Sequence, residues 1–320
     1  MKMMQEIKLN AIKTRFRAYK LGNKGSSFSY FYDNYFTLIE ARLTEISEPS
    51  LDEELALCNK KVIDCLHITS WDQDHCSKNE LEKIIEKYNP QRIEYPGYEP
   101  HTENSIASLE LIKAYNKAKS ATKIKRIDPP YIKSLSTTKG VGYKDIVYHP
   151  KELVDHSNDN STVKLFRGGM FNVASLGDIE SAKISSMLKM CKTFCREVDV
   201  LILAHHGADV DANSKAFFRA VKPRVVICTS NYDNQYEHPV QTVKNNLHEL
   251  KIPIYTTKTG DVIIESLANH RKEYIVKNYI SNGDKLSSTN QFDSKKFHLL
   301  SNNPDTVRNM QSPGRRGPKK

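Results

Sequence analysis

Short strand-like runs of apolar residues recur along most of the chain, and several of them end abruptly in Asp or His. Two of them, Val62–Ile68 and Val198–Ala204, are followed directly by Thr-Ser-Trp-Asp-Gln-Asp-His and by His-His-Gly. Helical patterns separate the strands, and a capping box at Ser77–Glu80 opens one of them. Strands that alternate with helices predict a layered α/β fold, and we find no short-period repeat that would indicate a solenoid.

Side chains that bind metal ions collect at the predicted strand ends. Loops at the edge of a rigid sheet are where sites are usually assembled, and carboxylates with imidazoles are the ligands of Zn, Mn or Fe. Each motif alone is also typical of an ordinary turn, but their joint occurrence after successive strands favours a metal site. The candidates follow four strands: Asp72, Asp74 and His75; Asp178; His205 and His206; and His238.

Composition narrows the class of protein. The chain has 320 residues, 38% of them hydrophobic, and only 13 Gly and 13 Pro, which excludes disordered and fibrous classes. The longest unbroken apolar stretch, Val200–Ala204, is far shorter than the ~20 residues of a membrane helix. No apolar segment follows the basic start, and no CxxC pair occurs. We therefore expect a soluble, cytoplasmic protein without a disulfide framework.

Basic residues are in excess and unevenly placed. Lys and Arg number 48 against 38 Asp and Glu, a net charge of +10, with clusters in 1–24, in 115–144 and at the C-terminus. Such clusters favour a polyanionic partner, although each one alone is equally typical of a solvated surface. Lys123, Lys125 and Arg126 are the predicted nucleic-acid contacts. The polar composition after residue 281 predicts a flexible basic tail over 282–320.

The order of the motifs resembles the metallo-β-lactamase-fold domain of ComEC-type competence proteins. The resemblance covers roughly residues 8–266 and rests on five segments, TSWDQDH (69–75), NDNSTVKL (158–165), SLGDIE (175–180), LILAHHGA (201–208) and NQYEHP (234–239). It implies a four-layer αββα metallo-β-lactamase sandwich over residues 1–281. It also implies a metal-dependent nuclease or phosphodiesterase that hydrolyses DNA or RNA with a metal-activated water.

The same resemblance assigns roles to the candidate residues. Asp74 and His75 would hold one ion, Asp178 would bridge two ions, and His238 would complete the first site; Asp74 and Asp178 are the expected catalytic residues. In the second site, Asp72 would bind the other ion and His205 would approach the pair. His206 would support the loop through a hydrogen bond.

This chain departs from the family pattern at several positions. Ser70 replaces the first His of the metal loop, and a neutral hydroxyl is a poor metal ligand. Ile39-Glu40-Ala41-Arg42 stands where the family has a pattern that ends in Asp-Gly. We therefore expect one or two divalent ions, Mn or Zn, with Mg as an alternative.

Two aromatic residues are candidates for substrate contacts. Trp71 lies inside the metal loop, where it would either stack on a base or pack beneath the loop. Tyr236 lies two residues before His238 and would line the cleft.

Three functions follow from these observations. The first is a nuclease acting on DNA or RNA, with DNA as the expected partner and a regulatory protein or a second copy as a further one. The second is a hydrolase of a small, for example cyclic, nucleotide. The third is a degenerate module that binds nucleic acid or protein without catalysis, which the replacement by Ser70 favours.

Overall fold

Two mixed β-sheets form the centre of the molecule, and both halves of the chain contribute strands to them. The structure is a computed structural model that describes residues 12–136, 145–231, 237–267, 272–280 and 285–302. Its strands are β1 (Thr14–Ala18), β2 (Phe28–Tyr32), β3 (Tyr35–Ile39), β4 (Cys65–His67), β5 (Arg92–Pro96), β6 (Lys123–Ile127), β7 (Ile146–His149), β8 (Val163–Phe166), β9 (Val173–Ser175), β10 (Val200–Ile202), β11 (Val225–Cys228), β12 (Ile254–Thr256), β13 (Val262–Ser266), β14 (Glu273–Tyr279) and β15 (Leu286–Asp293).

The first sheet has the strand order β15-β14-β13-β1-β2-β3-β4-β5-β6, and the second has the order β12-β11-β10-β9-β8-β7. In the first sheet, β3 to β6 are parallel and the remaining neighbours are antiparallel. In the second sheet, β9 to β12 are parallel. The parallel parts of both sheets direct the carboxyl ends of several strands to one edge, where their loops meet.

Most of the helices lie on the outer faces of the two sheets. The helices are α1 (Glu48–Leu57), α2 (Lys78–Tyr88), α3 (Glu103–Ala118), α4 (Pro129–Ser136), α5 (Ala182–Met190), α6 (Lys192–Glu197), α7 (Lys215–Val221), α8 (Gln241–Glu249) and α9 (Lys295–Asn302). Apolar residues of α1 to α3 pack on the first sheet, and those of α5 to α8 pack on the second. Among the described residues, no helix combines the length and apolar character needed to span a bilayer.

A third apolar cluster lies between the two sheets and includes Phe16, Tyr30, Phe166, Val200 and Ile227. The alternation of side chains along each strand produces this arrangement, because residues one apart point to opposite faces. In β10, for example, Val200 faces the central cluster, whereas Leu201 faces the helices. The four-layer αββα sandwich predicted from the sequence is confirmed.

A buried ionic network connects the sheets. Lys164 on β8 places its Nζ 2.8 Å from Oε2 of Glu94 on β5, and His67 Nδ1 lies 2.9 Å from the same oxygen. Burial alone would raise the pKa of Glu94, but the charge of Lys164 holds it well below its usual range. The network therefore keeps an ionised carboxylate in the interior.

The prediction of a flexible tail over residues 282–320 is wrong for residues 286–302, which form β15 and α9. Strand β15 pairs with β14, and its polar side chains are accommodated because it is an edge strand that exposes them to solvent. Ser294 and Lys296 are buried, and they donate hydrogen bonds to the carbonyl oxygens of Met170 and Gly169, both at 2.6 Å. The remainder of the tail, 303–320, and Tyr236 lie outside the described residues.

Candidate metal centre

Loops from both sheets bring four potential ligands together. Asp74 and His75 follow β4 of the first sheet, whereas Asp178 and His206 follow β9 and β10 of the second. One ligand atom from each of these residues lies within 4.8 Å of the other three. We call these four residues the metal cluster.

His75 is more buried than His206, the other histidine of the metal cluster, and it lies between two carboxylates. Its Nε2 is 2.9 Å from Asp178 Oδ2, and its Nδ1 is 3.2 Å from Glu40 Oε1. Burial lowers the pKa of His75, but the charges of Asp178 and Glu40 outweigh that effect and raise it well above its usual value. In turn, the charge of His75 overcomes the burial of Asp178 and lowers the pKa of that carboxyl.

Glu40 is a residue that the sequence analysis noted only as a departure from the family pattern. It is 1% exposed and accepts hydrogen bonds from the Thr69 backbone N–H at 2.9 Å and the Thr69 hydroxyl at 2.5 Å. Its backbone has φ = 72°, in the left-handed region. A carboxylate behind a metal-binding imidazole fixes the ring's orientation and raises its basicity. The one sequence signal for this role was a glutamate placed directly after a strand.

His206 is held from both sides of its ring. Its Nε2 lies 3.1 Å from Asp74 Oδ2, and its Nδ1 lies 3.1 Å from Thr229 Oγ1 and 3.3 Å from Ser26 Oγ. Burial would raise the pKa of Asp74, but the hydrogen bond to His206 and the charge of His75 hold it well below its usual range. His206 was predicted to support the loop, yet the structure places it in the cluster itself.

The His-His-Gly turn has an unusual backbone. His205, His206 and Gly207 have φ values of 45°, 52° and 89°, so three consecutive residues are left-handed. The His205 N–H donates to the Gly177 carbonyl at 3.0 Å, which ties this turn to the loop that carries Asp178. At Gly207 a Cβ atom would lie 2.7 Å from Pro239 Cβ, so this position requires glycine.

An open cleft of about 450 Å³ leads to the metal cluster and is lined by Asp74, His205, His206 and His238 among others. The ring centroids of His205 and His238 are 6.2 Å apart. Burial is the main cause that lowers the pKa of His238 to about 4, and the charges of the nearby His206 and His205 lower it further. His205 Nδ1 lies 2.9 Å from Glu180 Oε1. Both residues therefore border the cluster without belonging to it.

Asp72 and Ser70 lie together outside the metal cluster. The Ser70 hydroxyl donates to Asp72 Oδ2 at 2.9 Å and lies 3.0 Å from the Tyr98 hydroxyl. Trp71 is 2% exposed, and its Nε1 donates to the Tyr98 carbonyl at 3.0 Å. The packing alternative for Trp71 is thus the observed one, since a buried ring cannot stack on a base. Tyr98, which forms hydrogen bonds with Ser70 and Trp71, was not singled out from the sequence.

The predicted nucleic-acid contacts lie on β6, at the far edge of the first sheet. Lys125 Nζ is 4.3 Å from the centroid of the Tyr131 ring, and Arg126 forms an ion pair with Glu99 at 2.7 Å. The residues that line the cleft do not include Lys123, Lys125 or Arg126. These three residues are not brought together with the metal cluster.

The donor set fits a divalent metal ion. Within the described part of the chain, Asp178 Oδ1 is buried without a hydrogen-bond partner. Buried polar atoms are rarely left without partners, and a cation would satisfy this one. Two imidazoles and two carboxylates are ligands suited to Mn, Fe or Zn.

Comparison with known proteins gives distant similarities. No protein-family model matches the chain. A stretch of 116 residues, 35% of this chain, is 26% identical to the competence protein ComA of Neisseria gonorrhoeae and spans 16% of that protein. The match thus covers a small part of that relative.

Solved structures of metal-dependent hydrolases are also similar. Igni18, a metallo hydrolase from Ignicoccus hospitalis, is 11% identical with a TM-score of 0.46, covering 78% of this chain and 98% of that one. Tm1679, a metal-dependent hydrolase of the β-lactamase superfamily, is 11% identical with a TM-score of 0.42 and the same two coverages.

Proposed function

We propose that this chain is a metal-dependent hydrolase that cleaves phosphodiester bonds in nucleic acid, with DNA as the first substrate to test. The observation that carries the proposal is the metal cluster, in which ligand atoms from both sheets lie within 4.8 Å of one another beside an open cleft. The net charge of +10 and the similarity to a competence protein support a nucleic-acid substrate.

Asp74, His75, Asp178 and His206 would hold the ion, which we infer to be Mn or Zn, with Mg as an alternative. A bound divalent ion lowers the pKa of a water ligand and offsets charge on a phosphate group. The chain's own residues position this site, because Glu40 orients the His75 ring.

His205 is placed to contact a substrate in the cleft. The Glu180 carboxylate near His205 Nδ1 favours a proton on that nitrogen, which leaves Nε2 as the ring atom for a substrate contact. His238 borders the same cleft, and we assign it to substrate contact as well. Both histidines would therefore interact with the phosphate ester or its leaving oxygen.

A binding module without catalysis is the second candidate. It is favoured by the Ser70 substitution and by the hydrogen bond that occupies Asp72, since a two-ion site would need ligands at these positions. With Asp72 so engaged, we infer that the cluster takes one ion per chain.

Cleavage assays on single- and double-stranded DNA and RNA, with Mn, Mg, Zn or a chelator, test the proposal. We expect metal-dependent cleavage that Asp178→Ala abolishes while circular dichroism shows a retained fold. Asp72→Ala is the matched control, because it removes a carboxylate from the same sequence region but from outside the cluster. Cyclic dinucleotides, assayed in parallel, test the small-nucleotide alternative.

The metal content of the purified protein decides between the remaining hypotheses. If no substrate is cleaved, one equivalent of metal that Asp178→Ala removes would indicate a latent hydrolase, whereas a wild-type protein without bound metal would favour the binding module. Absence of metal from the wild-type protein after loading and dialysis would refute the metal centre itself.

A further inference from the structure

A second cavity continues from the cleft beside the metal cluster. It has a volume of about 580 Å³, shares Ser230 and Asn231 with that cleft, and is also lined by Lys20, Thr257 and Lys258. We propose that this cavity binds a second phosphate group of the substrate, next to the phosphodiester at the metal cluster. The inference rests on the proposed function and specifies its substrate as a molecule with at least two phosphates.

The fold fixes the backbone around this cavity. Lys20 follows β1 and its backbone N–H donates to Asp261 Oδ1 at 2.7 Å, which anchors it beside β13. Lys258 follows β12 of the other sheet. The Ser230 N–H donates to Thr257 Oγ1 at 3.2 Å and ties the loops after β11 and β12 together. The two lysines therefore approach one cavity from different sheets.

The charges lining this cavity are all positive. Within the described residues, the ammonium groups of Lys20 and Lys258 form no ion pair, and no carboxylate lines the cavity. Asp261, which accepts from the Lys20 backbone N–H, is neutralised by Arg17, whose Nε lies 2.8 Å from its Oδ2. Two uncompensated cations that face one space repel each other, and an anion between them would relieve that repulsion.

On the other side of the loop that follows β1, the cavity lining is not exclusively positive. There a third cavity, next to Leu21–Asn23, is lined by Glu45 and Glu80 with Lys83 as its cation. Glu80 is paired with Arg42 at 2.7 Å, which leaves Glu45 and Lys83 to offset each other. The third cavity therefore lacks the excess of positive charge that lines the Lys20–Lys258 side.

Phosphate is the shared chemistry of two possible sources, a polynucleotide backbone and a cyclic dinucleotide. Two subsites that act together also explain how the chain would discriminate against a substrate with a single phosphate, since such a molecule fills only one of them. The β6 cluster predicted from the sequence has no part in this arrangement.

Binding of a fluorescein-labelled, short single-stranded DNA, measured by anisotropy in chelator, tests the proposal without requiring catalysis. Lys20→Met and Lys258→Met should each weaken binding about tenfold, the loss of one charge-assisted contact. Each should also lower the slope of log affinity against log salt by about 0.7. Lys83→Met removes the same charge from the third cavity and should bind as the wild type does.

Unlabelled cyclic dinucleotide and a dinucleoside monophosphate serve as competitors. A selective loss of affinity for the cyclic dinucleotide in Lys20→Met and Lys258→Met supports the subsite and identifies the small molecule as its source. Equal affinities in all variants, or an equal loss in Lys83→Met, overturn the proposal. Weakened binding in the Lys20 and Lys258 variants without hydrolysis by the wild type would retain the subsite and refute the proposed function.

Discussion

Glu40→Gln tests whether the metal cluster depends on the carboxylate behind it. The wild-type carboxylate receives the Thr69 N–H and hydroxyl and faces His75 Nδ1. A glutamine side chain has only one acceptor oxygen. If that oxygen keeps the hydrogen bond from the Thr69 N–H, the side-chain NH2 group must face another hydrogen-bond donor. The loss of one hydrogen bond to a charged group costs about 1.5–3 kcal/mol, or roughly 10- to 100-fold in metal affinity, which agrees with the effect of such outer carboxylates elsewhere.

The assay is competition for Mn or Zn against a chromogenic chelator, together with urea unfolding of the metal-free protein. Glu54→Gln is the control, because Glu54 is also fully buried but pairs with Arg15, at 2.7 Å, instead of a histidine. We expect the control to lose stability and keep its metal affinity. Wild-type affinity in a folded Glu40→Gln protein would refute the reasoning.

Three further changes test the fold around the site. Lys164→Met removes one of the two cations paired with the buried Glu94 and leaves Arg92, at 2.7 Å, as the other, so the free energy of unfolding should fall by about 1.5–3 kcal/mol in urea titration; an unchanged stability would argue against the Lys164–Glu94 pair. Burial raises the pKa of Asp199 from 3.8 to about 6, so the folded state favours the neutral acid and stability should fall, by about 3 kcal/mol, as pH rises from about 4 to about 6. Asp199→Asn should remove that pH dependence from thermal unfolding, and an unchanged profile would contradict it. Gly207→Ala introduces a Cβ at φ = 89° against Pro239 and should cost about 1–3 kcal/mol of stability and weaken metal binding in the same chelator competition.

Strand ends were the part of the site that the sequence could predict. Alternating or continuous apolar runs identify β4, β9 and β10, and the residues after them must lie in loops at one sheet edge. Asp74, His75 and Asp178 were found this way, and the structure brings them together. The pattern works because strand periodicity is local and loop position follows from it.

Contacts between distant segments account for what the sequence could not show. Ser70 donates to Asp72, two residues further on, but it also contacts the hydroxyl of Tyr98, which arrives from the loop after β5. His206 enters the cluster because two consecutive left-handed residues turn its ring towards Asp74. Neither effect has a signature in residue type or spacing.

Three of the ten non-glycine residues with positive φ in the described part of the chain support the metal cluster. Glu40, His205 and His206 all have positive φ values without being glycine, and such a conformation costs about 1–2 kcal/mol per residue. Each is held by the tertiary structure: Glu40 by its hydrogen bonds to Thr69, and the His-His-Gly turn by the Gly177 carbonyl. A fold that needed only a stable turn at these positions would be better served by Gly or Asn. What distinguishes these three positions is that their side chains contact or border the cluster, at a backbone cost that the packed sheets around them offset.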